Sequence, residues 1–122
     1  MEPSPIFEPS PSATDYADLF VAAVEGGINY WAYTDEYDWQ FVDLSRNVED
    51  LDPKDDYAMA RITEQETGES QIVDSRSEKW HNAVANAASY FNQSIQDFIE
   101  DHDASSGDVA MQFAMFGEII YG

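Results

Sequence analysis

Cysteine is absent from this chain and basic residues are nearly so: five Lys and Arg stand against 25 Asp and Glu in 122 residues, a formal charge of −20. The missing cysteines exclude disulfides, thiolate metal sites and cysteine nucleophiles. The missing basic residues argue against direct binding to nucleic acid or to an anionic membrane, which carry the same sign of charge. No apolar run approaches the roughly 18 residues that a membrane span needs. The opening Met1-Glu2-Pro3-Ser4-Pro5 lacks the basic and apolar regions of a signal peptide. Glycine-rich phosphate loops and a Gly-x-Ser-x-Gly elbow are also missing.

Aromatic residues are plentiful: seven Tyr, seven Phe and three Trp make up 14 % of the chain. A disordered acidic tail would be poor in them, so a folded acidic domain is expected. The length suits one domain with one core. Residues 1–13 read as a disordered Pro/Ser/Glu tail, because Glu-Pro-Ser-Pro occurs twice and proline forbids a helix there. Ile6 and Phe7 within it offer an alternative role as a short docking peptide. Residues 14–122 read as the single acidic domain.

Thr14 or Asp15 is expected to cap a first helix bearing Tyr16, Leu19, Phe20, Ala23 and Val24 at helical spacing. This helix either ends at Gly26-Gly27 or runs through to Ala32, with glycine letting another backbone approach. The second option, which aligns Phe20, Val24, Ile28 and Trp31, is favoured. Tyr37, Trp39 and Phe41 alternate with polar residues and predict a strand over 37–44. A polar, acidic loop is expected from Ser45 to Asp56. Two further strands, 57–65 and 70–73, flank Glu66-Thr67-Gly68-Glu69, where Gly68 suits a hairpin turn. Asp74, Ser75 or Ser77 caps the strongest helical pattern, Trp80, Val84, Ala87, Ala88, Phe91, Ile95, Phe98 and Ile99, over five turns. After a turn at 102–107, Val109, Phe113, Phe116 and Ile120 mark a last helix fraying near Gly117 or Tyr121. The expected fold class is α+β: a helix, about three antiparallel strands, then two helices packed on one sheet face.

The acids concentrate in two stretches. Asp35, Glu36, Asp38, Asp43, Glu49, Asp50, Asp52, Asp55 and Asp56 face only Arg46 and Lys54, nine against two, or −7. Asp97, Glu100, Asp101, Asp103 and Asp108 face no Lys or Arg within 97–108. Several of the second group are expected at the C-terminal end of the long helix, where the dipole disfavours anions by up to about 1 kcal/mol each. The two stretches, Asp108 apart, form a candidate acidic patch for a basic protein partner, for instance a nucleic-acid-binding protein whose groove accepts carboxylates in place of phosphates. The competing explanation is salt adaptation. Asp exceeds Glu by 14 to 11 and Lys is nearly absent, and at molar salt the Debye length of about 3 Å screens the repulsion.

Chemistry is hard to place. Asp50 to Asp56 fails the calcium-loop pattern, since Lys54 and Asp55 stand where a ligand and a glycine are required. His81, half exposed beside Trp80, and His102 have no partner at metal-ligand spacing. Carboxylate pairs are too abundant to single out an acid and a base. The expectation is therefore a non-enzymatic protein without metal or cofactor. Glu25, Tyr30, Trp31 and Tyr33 form a candidate aromatic contact site, by stacking or as an interface hot spot; core packing is the alternative. The apolar last helix leaves a homodimer open.

Two stretches resemble a family of small phage and prophage proteins of uncharacterised function. Glu25-Gly26-Gly27-Ile28-Asn29-Tyr30-Trp31-Ala32 is similar to a short motif in them. Gln112-Phe113-Ala114-Met115-Phe116-Gly117-Glu118-Ile119-Ile120-Tyr121-Gly122 is similar to the way they close. Together these cover about nineteen residues. The resemblance implies a tailed-virus accessory protein made inside the host, in the host cytoplasm, and carries no catalytic residues. The Pro/Ser/Glu tail and the extreme acidity depart from the family and suggest a salt-loving host such as a haloarchaeon.

Overall fold

Helix α1, Ala13–Ala22, opens on a reciprocal cap: the Ser12 hydroxyl accepts from the Asp15 N–H while the Asp15 carboxylate accepts from the Ser12 N–H. Two orphan helix N–H groups are thereby satisfied. The expected cap at Thr14 or Asp15 thus moves to Ser12, and Ala13 joins the helix. The computed structural model describes residues 11–40 and 55–122; the predicted tail up to Ser10 and the predicted strand and loop residues 41–54 lie outside them.

The first helix does not reach Ala32 in the form expected. It widens into a π-helical turn, Ala23–Gly27, closed by the Ile28 N–H donating to the Ala23 carbonyl (3.0 Å). The chain then turns, and Ala32 begins a strand. The helical run thus ends at Gly27, the alternative to a helix through Ala32, while the glycine also admits the expected close approach of another backbone. A Cβ on Gly27 would lie 2.5 Å from the Ala104 carbonyl oxygen, so backbone meets backbone there.

Strands β1 (Ala32–Gln40), β2 (Tyr57–Glu64) and β3 (Ser70–Asp74) form one antiparallel sheet in the order β1-β2-β3. β1 starts five residues before the predicted strand. A bulge between Asp35 and Asp38 puts Glu36 at φ +51° and re-registers the strand. The β2–β3 hairpin turns through Gly68 at φ +78°. Ala58, Ala60, Ile62 and Val73 are buried on one face, while Met59, Arg61 and Thr63 of the other face are half exposed. That alternation is the period of a one-sided sheet. α1 lies against β2.

The long predicted helix is two helices, α2 (Glu78–Tyr90) and α3 (Ile95–Glu100). Ser77 caps α2. Asn92 adopts φ +59°, which ends α2, and Ser94 caps α3 by accepting from the Asp97 N–H (3.1 Å). Asn and Ser offer local hydrogen bonds that compete with continued helix. The break leaves Phe91 at the corner, 40 % exposed, where an unbroken helix would have buried it. Helix α4, Ala104–Phe116, starts five residues before the Val109 predicted to open it and stops at Gly117, φ +75°. Ile120 therefore lies beyond the helix.

The core joins Leu19, Phe20, Ile28, Trp31, Ile62, Trp80, Val84, Phe98 and Met111. Fully burying a side chain of this size contributes about 1.5–3 kcal/mol. Trp80 sits edge-on to Phe20 at 5.3 Å and donates its indole N–H to the Tyr16 carbonyl (3.0 Å). The architecture is α+β, with a helix, a three-stranded antiparallel sheet and then helices.

Asp103 caps α4 by accepting from the Ser106 N–H (3.0 Å). That backbone hydrogen bond holds its carboxyl below the ordinary value. A depressed carboxylate contributes stability above its unfolded pKa of about 3.9 and loses it as pH falls through the lower folded value. Asp103→Ala is expected to cost about 0.5–2 kcal/mol at neutral pH. The difference from the parent should shrink as urea titrations are repeated at progressively lower pH.

Candidate functional site

The stretch from Glu25 to Tyr33 was the candidate aromatic contact. Its residues separate in space. Trp31 is buried, its ring stacked on Tyr121 (5.3 Å between centroids, 6° between planes) and tilted on Phe116. Trp31 is therefore core and not a recognition surface. Glu25 is exposed. Tyr33 projects from the sheet face opposite the core, 63 % exposed. Tyr30 is half exposed, but its hydroxyl is committed to Asp108.

Asp108 is the centre of a network that composition did not single out. One carboxylate oxygen accepts from the Tyr30 hydroxyl (2.6 Å); the other accepts from the Trp31 indole N–H (2.7 Å) and from the Gln112 amide (3.0 Å). Gln112, fully buried, also donates to the Tyr121 carbonyl (3.0 Å) and accepts from the N–H groups of Ile120 (2.9 Å) and Tyr121 (2.8 Å). The Tyr121 hydroxyl donates to the buried Glu64 carboxylate, which also accepts from Thr67 (2.9 Å). Each polar group in the network has a partner, as burial demands. The motif at 25–32 and the closing segment at 112–122 are thereby fastened together.

Burial, then the hydrogen bond to Asp108, pushes the Tyr30 phenol up to about 12. The Glu64 carboxylate, with burial, raises Tyr121. A raised phenol stabilises the fold below its unfolded pKa of about 10, and that contribution is lost as pH rises through the folded value. Phenolate absorbance should show Tyr30 titrating near 12. Asp108→Asn should bring that transition down towards the ordinary tyrosine range.

Two hollows among the described residues bear on the candidate residues. One, about 240 Å³, is open and lies between Gly26, Gly27, Tyr30, Ala104, Ser105 and Asp108. It does not include Glu25, Trp31 or Tyr33. The other, about 260 Å³, lies between α1, β3 and the start of α2, with Tyr16, Asp56, Ser75, Arg76 and His81 in its wall. Tyr16 stacks on His81 at 3.8 Å, the His81 Nε2 meets the Ser75 carbonyl (3.0 Å), and the Ser75 hydroxyl accepts from the Ala58 N–H (2.9 Å). Asp56 accepts from the Thr14 hydroxyl (2.7 Å). Arg76 is held by Asp74 (2.6 Å) and lies over the Tyr57 ring. These groups serve structure: Ser75 is a hydrogen-bond acceptor for the sheet and Arg76 is neutralised. No local pattern links positions 16, 56, 75 and 81, so sequence reading had no signal for this hollow. Among the described residues, no group of three or more His, Asp or Glu is arranged to hold a metal ion.

The predicted acidic patch divides. Asp43, Glu49, Asp50 and Asp52 lie outside the described residues. Asp35 is exposed and registers beside Arg61; Glu36 pairs with Arg61 (2.6 Å); Asp38 accepts from the Tyr57 hydroxyl (2.9 Å). Asp55 is exposed, whereas Asp56 is buried and is not part of an outer patch. The β1 acids are thus partly spent on neighbours.

At the α3–α4 end the Glu100 carboxylate accepts from the Gln96 amide (2.6 Å) and Asp103 caps α4, so the difference from β1 lies in the lack of a paired Lys or Arg. Asp97, Glu100, Asp101 and Asp103 are all exposed. From Trp80 to Gly122 the chain has no Lys or Arg. None of these four carboxylates pairs with a Lys or Arg among the described residues. The break at Asn92 changes the dipole argument. Asp97 now lies in the first turn of α3 and Asp103 caps α4, both favourable positions. Only Glu100 and Asp101 remain at a helix C-terminus, where anions are disfavoured. Asp18 on α1 has its carboxyl raised by burial, partly offset by His102, with Asp15 and Asp56 adding to the rise.

Comparison with protein-family models, curated proteins and solved structures gave no match. No helix among the described residues is long and apolar enough to cross a membrane.

Proposed function

We propose that this protein is a non-enzymatic accessory protein of viral type that works by contact with a basic protein partner inside the host cell. The carboxylates around α3 occupy the partner's groove in place of nucleic-acid phosphates. The observation that carries this reading is the exposed end formed by Asp97, Glu100, Asp101 and Asp103, which no Lys or Arg pairs with among the described residues. Fixed like charges focus a field that raises the on-rate for a basic partner. Glu100 and Asp101 oppose the helix dipole, so stability does not account for them. The viral setting rests on the two resembling stretches. Their contact through Asp108, Gln112 and Tyr121 supports treating them as one unit.

The test is competition with DNA for a basic nucleic-acid-binding host protein. The parent should displace DNA, and Asp97→Asn/Glu100→Gln/Asp101→Asn should displace it at least tenfold less well. Equal displacement by parent and variant would remove α3 as the contact.

A second reading has its own support. Every described helix and strand carries at least one Asp or Glu, a spread that fits a structural or assembly protein adapted to high salt.

A further inference from the structure

The corner between α2 and α3 leaves two adjacent aromatic rings in solvent, Tyr90 at 57 % and Phe91 at 40 % exposure. They are not loose. Phe91 stacks on the buried Phe98 (5.8 Å, 25°) and meets Tyr90 edge-on (5.3 Å, 89°), while Tyr90 meets Phe113 edge-on (6.2 Å, 70°). Phe91 is fixed by the buried Phe98, and Tyr90 by Phe91 and the partly buried Phe113, so binding would lose little side-chain freedom. Exposed, rigid aromatics of this kind are the usual anchors of protein interfaces.

Charge decides what they fit. α3 spans six residues, about 9 Å at 1.5 Å per residue. It presents Asp97 and Glu100 to solvent from the same short helix that buries Phe98 under Phe91, and Asp101 follows at its end. No Lys or Arg occurs from Trp80 onward. A second copy of this chain would bring the same acids against these ones. A basic segment would meet both the rings and the carboxylates.

We infer that the Tyr90–Phe91 corner is the apolar anchor of a docking surface for an amphipathic, Lys/Arg-rich helical segment of a partner protein. The inference rests on the basic-partner reading and adds the site of contact and the partner's apolar face. Attraction to the acids guides approach, and packing of an apolar side chain against the joined faces of Tyr90 and Phe91 gives the complex its lifetime.

The test uses the full chain with two synthetic probes of equal charge, a Lys/Leu amphipathic helix and a Lys/Ser peptide. The Lys/Leu helix should bind more tightly. It should also keep part of its affinity between about 0.15 M and about 1 M salt, where the Debye length falls from about 8 to about 3 Å. Tyr90→Ser and Phe91→Ser, checked for folding by circular dichroism, should each weaken Lys/Leu binding by about thirtyfold, a hot-spot truncation, and leave Lys/Ser binding unchanged. Tyr90 lies outside the buried core, so its variant keeps the test valid if Phe91→Ser disturbs the fold. Equal binding of the two probes, or no loss in either aromatic variant, overturns the anchor while leaving the acidic reading standing. Unchanged Lys/Leu binding in Asp97→Asn/Glu100→Gln/Asp101→Asn overturns the basic-partner reading and the inference with it. Concentration-dependent self-association abolished by Phe91→Ser would assign the corner to a second copy and also overturn it.

Discussion

Replacing Gln112 with Leu should destabilise the protein by about 2–4 kcal/mol, although the new side chain is apolar, similar in size and placed in the core. The amide of Gln112 makes four hydrogen bonds, two donated and two accepted. Leucine can make none. The N–H groups of Ile120 and Tyr121 and the Tyr121 carbonyl would lose their partner, and each polar group left unsatisfied costs about 1–3 kcal/mol if it stays buried. The closing segment has a cheaper escape. Ile120 is already half exposed, so residues 117–122 can peel away and solvate their backbone. That outcome sacrifices the Tyr121 ring stacked on Trp31 and its hydrogen bond to Glu64. Urea unfolding measures the loss. A change in tryptophan fluorescence before the main transition would report the peeling. Stability within about 0.5 kcal/mol of the parent would mean the amide network contributes little.

Gly107→Ala should cost about 3 kcal/mol or more, opposite in sign to the usual effect of that change. In an exposed helix interior, alanine is favoured over glycine by about 1 kcal/mol. Here a Cβ would lie 2.6 Å from the Ala23 nitrogen and 2.7 Å from the Ala23 Cα. Both are backbone atoms, so no side chain can turn aside. α4 would have to lift from the π-helical turn, at the cost of an overpacked core. Gly26→Ala provides the control, because its nearest contact, the Ala104 Cβ at 3.7 Å, is ordinary van der Waals distance. Thermal unfolding of the two variants should show a large drop for Gly107→Ala and little change for Gly26→Ala. A small effect in both would mean the two helices are not held this closely.

These two positions show what was legible in the chain and what was not. The apolar spacing of Phe20, Val24, Ile28 and Trp31 predicted a buried stripe, and all four are buried. The hairpin at Gly68 follows from local chemistry and was readable, and of the three candidate caps Asp74, Ser75 and Ser77 the structure selects Ser77. Gly26-Gly27 suggested a close backbone approach, but only the fold identifies Ala104 as the neighbour. The single helix predicted through Phe91 failed because apolar periodicity continues across Asn92, while the backbone bends there to turn Phe98 into the core. Period alone does not register a break that preserves the stripe. Asp108 and Gln112 were the hardest to read. An Asp among 25 acids carries no signal until Tyr30 and Trp31 are brought to it from a distant part of the chain.

Equilibrium unfolding of the parent and of Glu100→Gln/Asp101→Asn, followed from low to molar salt, tests most directly whether the α3 carboxylates are held for contact. The proposal predicts a parent folded at low salt and a variant more stable there by about 0.3–1 kcal/mol per residue, because anions leave a helix C-terminus. That gap should close as salt rises. A parent that folds only at molar salt, with a variant that is less stable under those conditions, would contradict it and assign the acidity to salt adaptation.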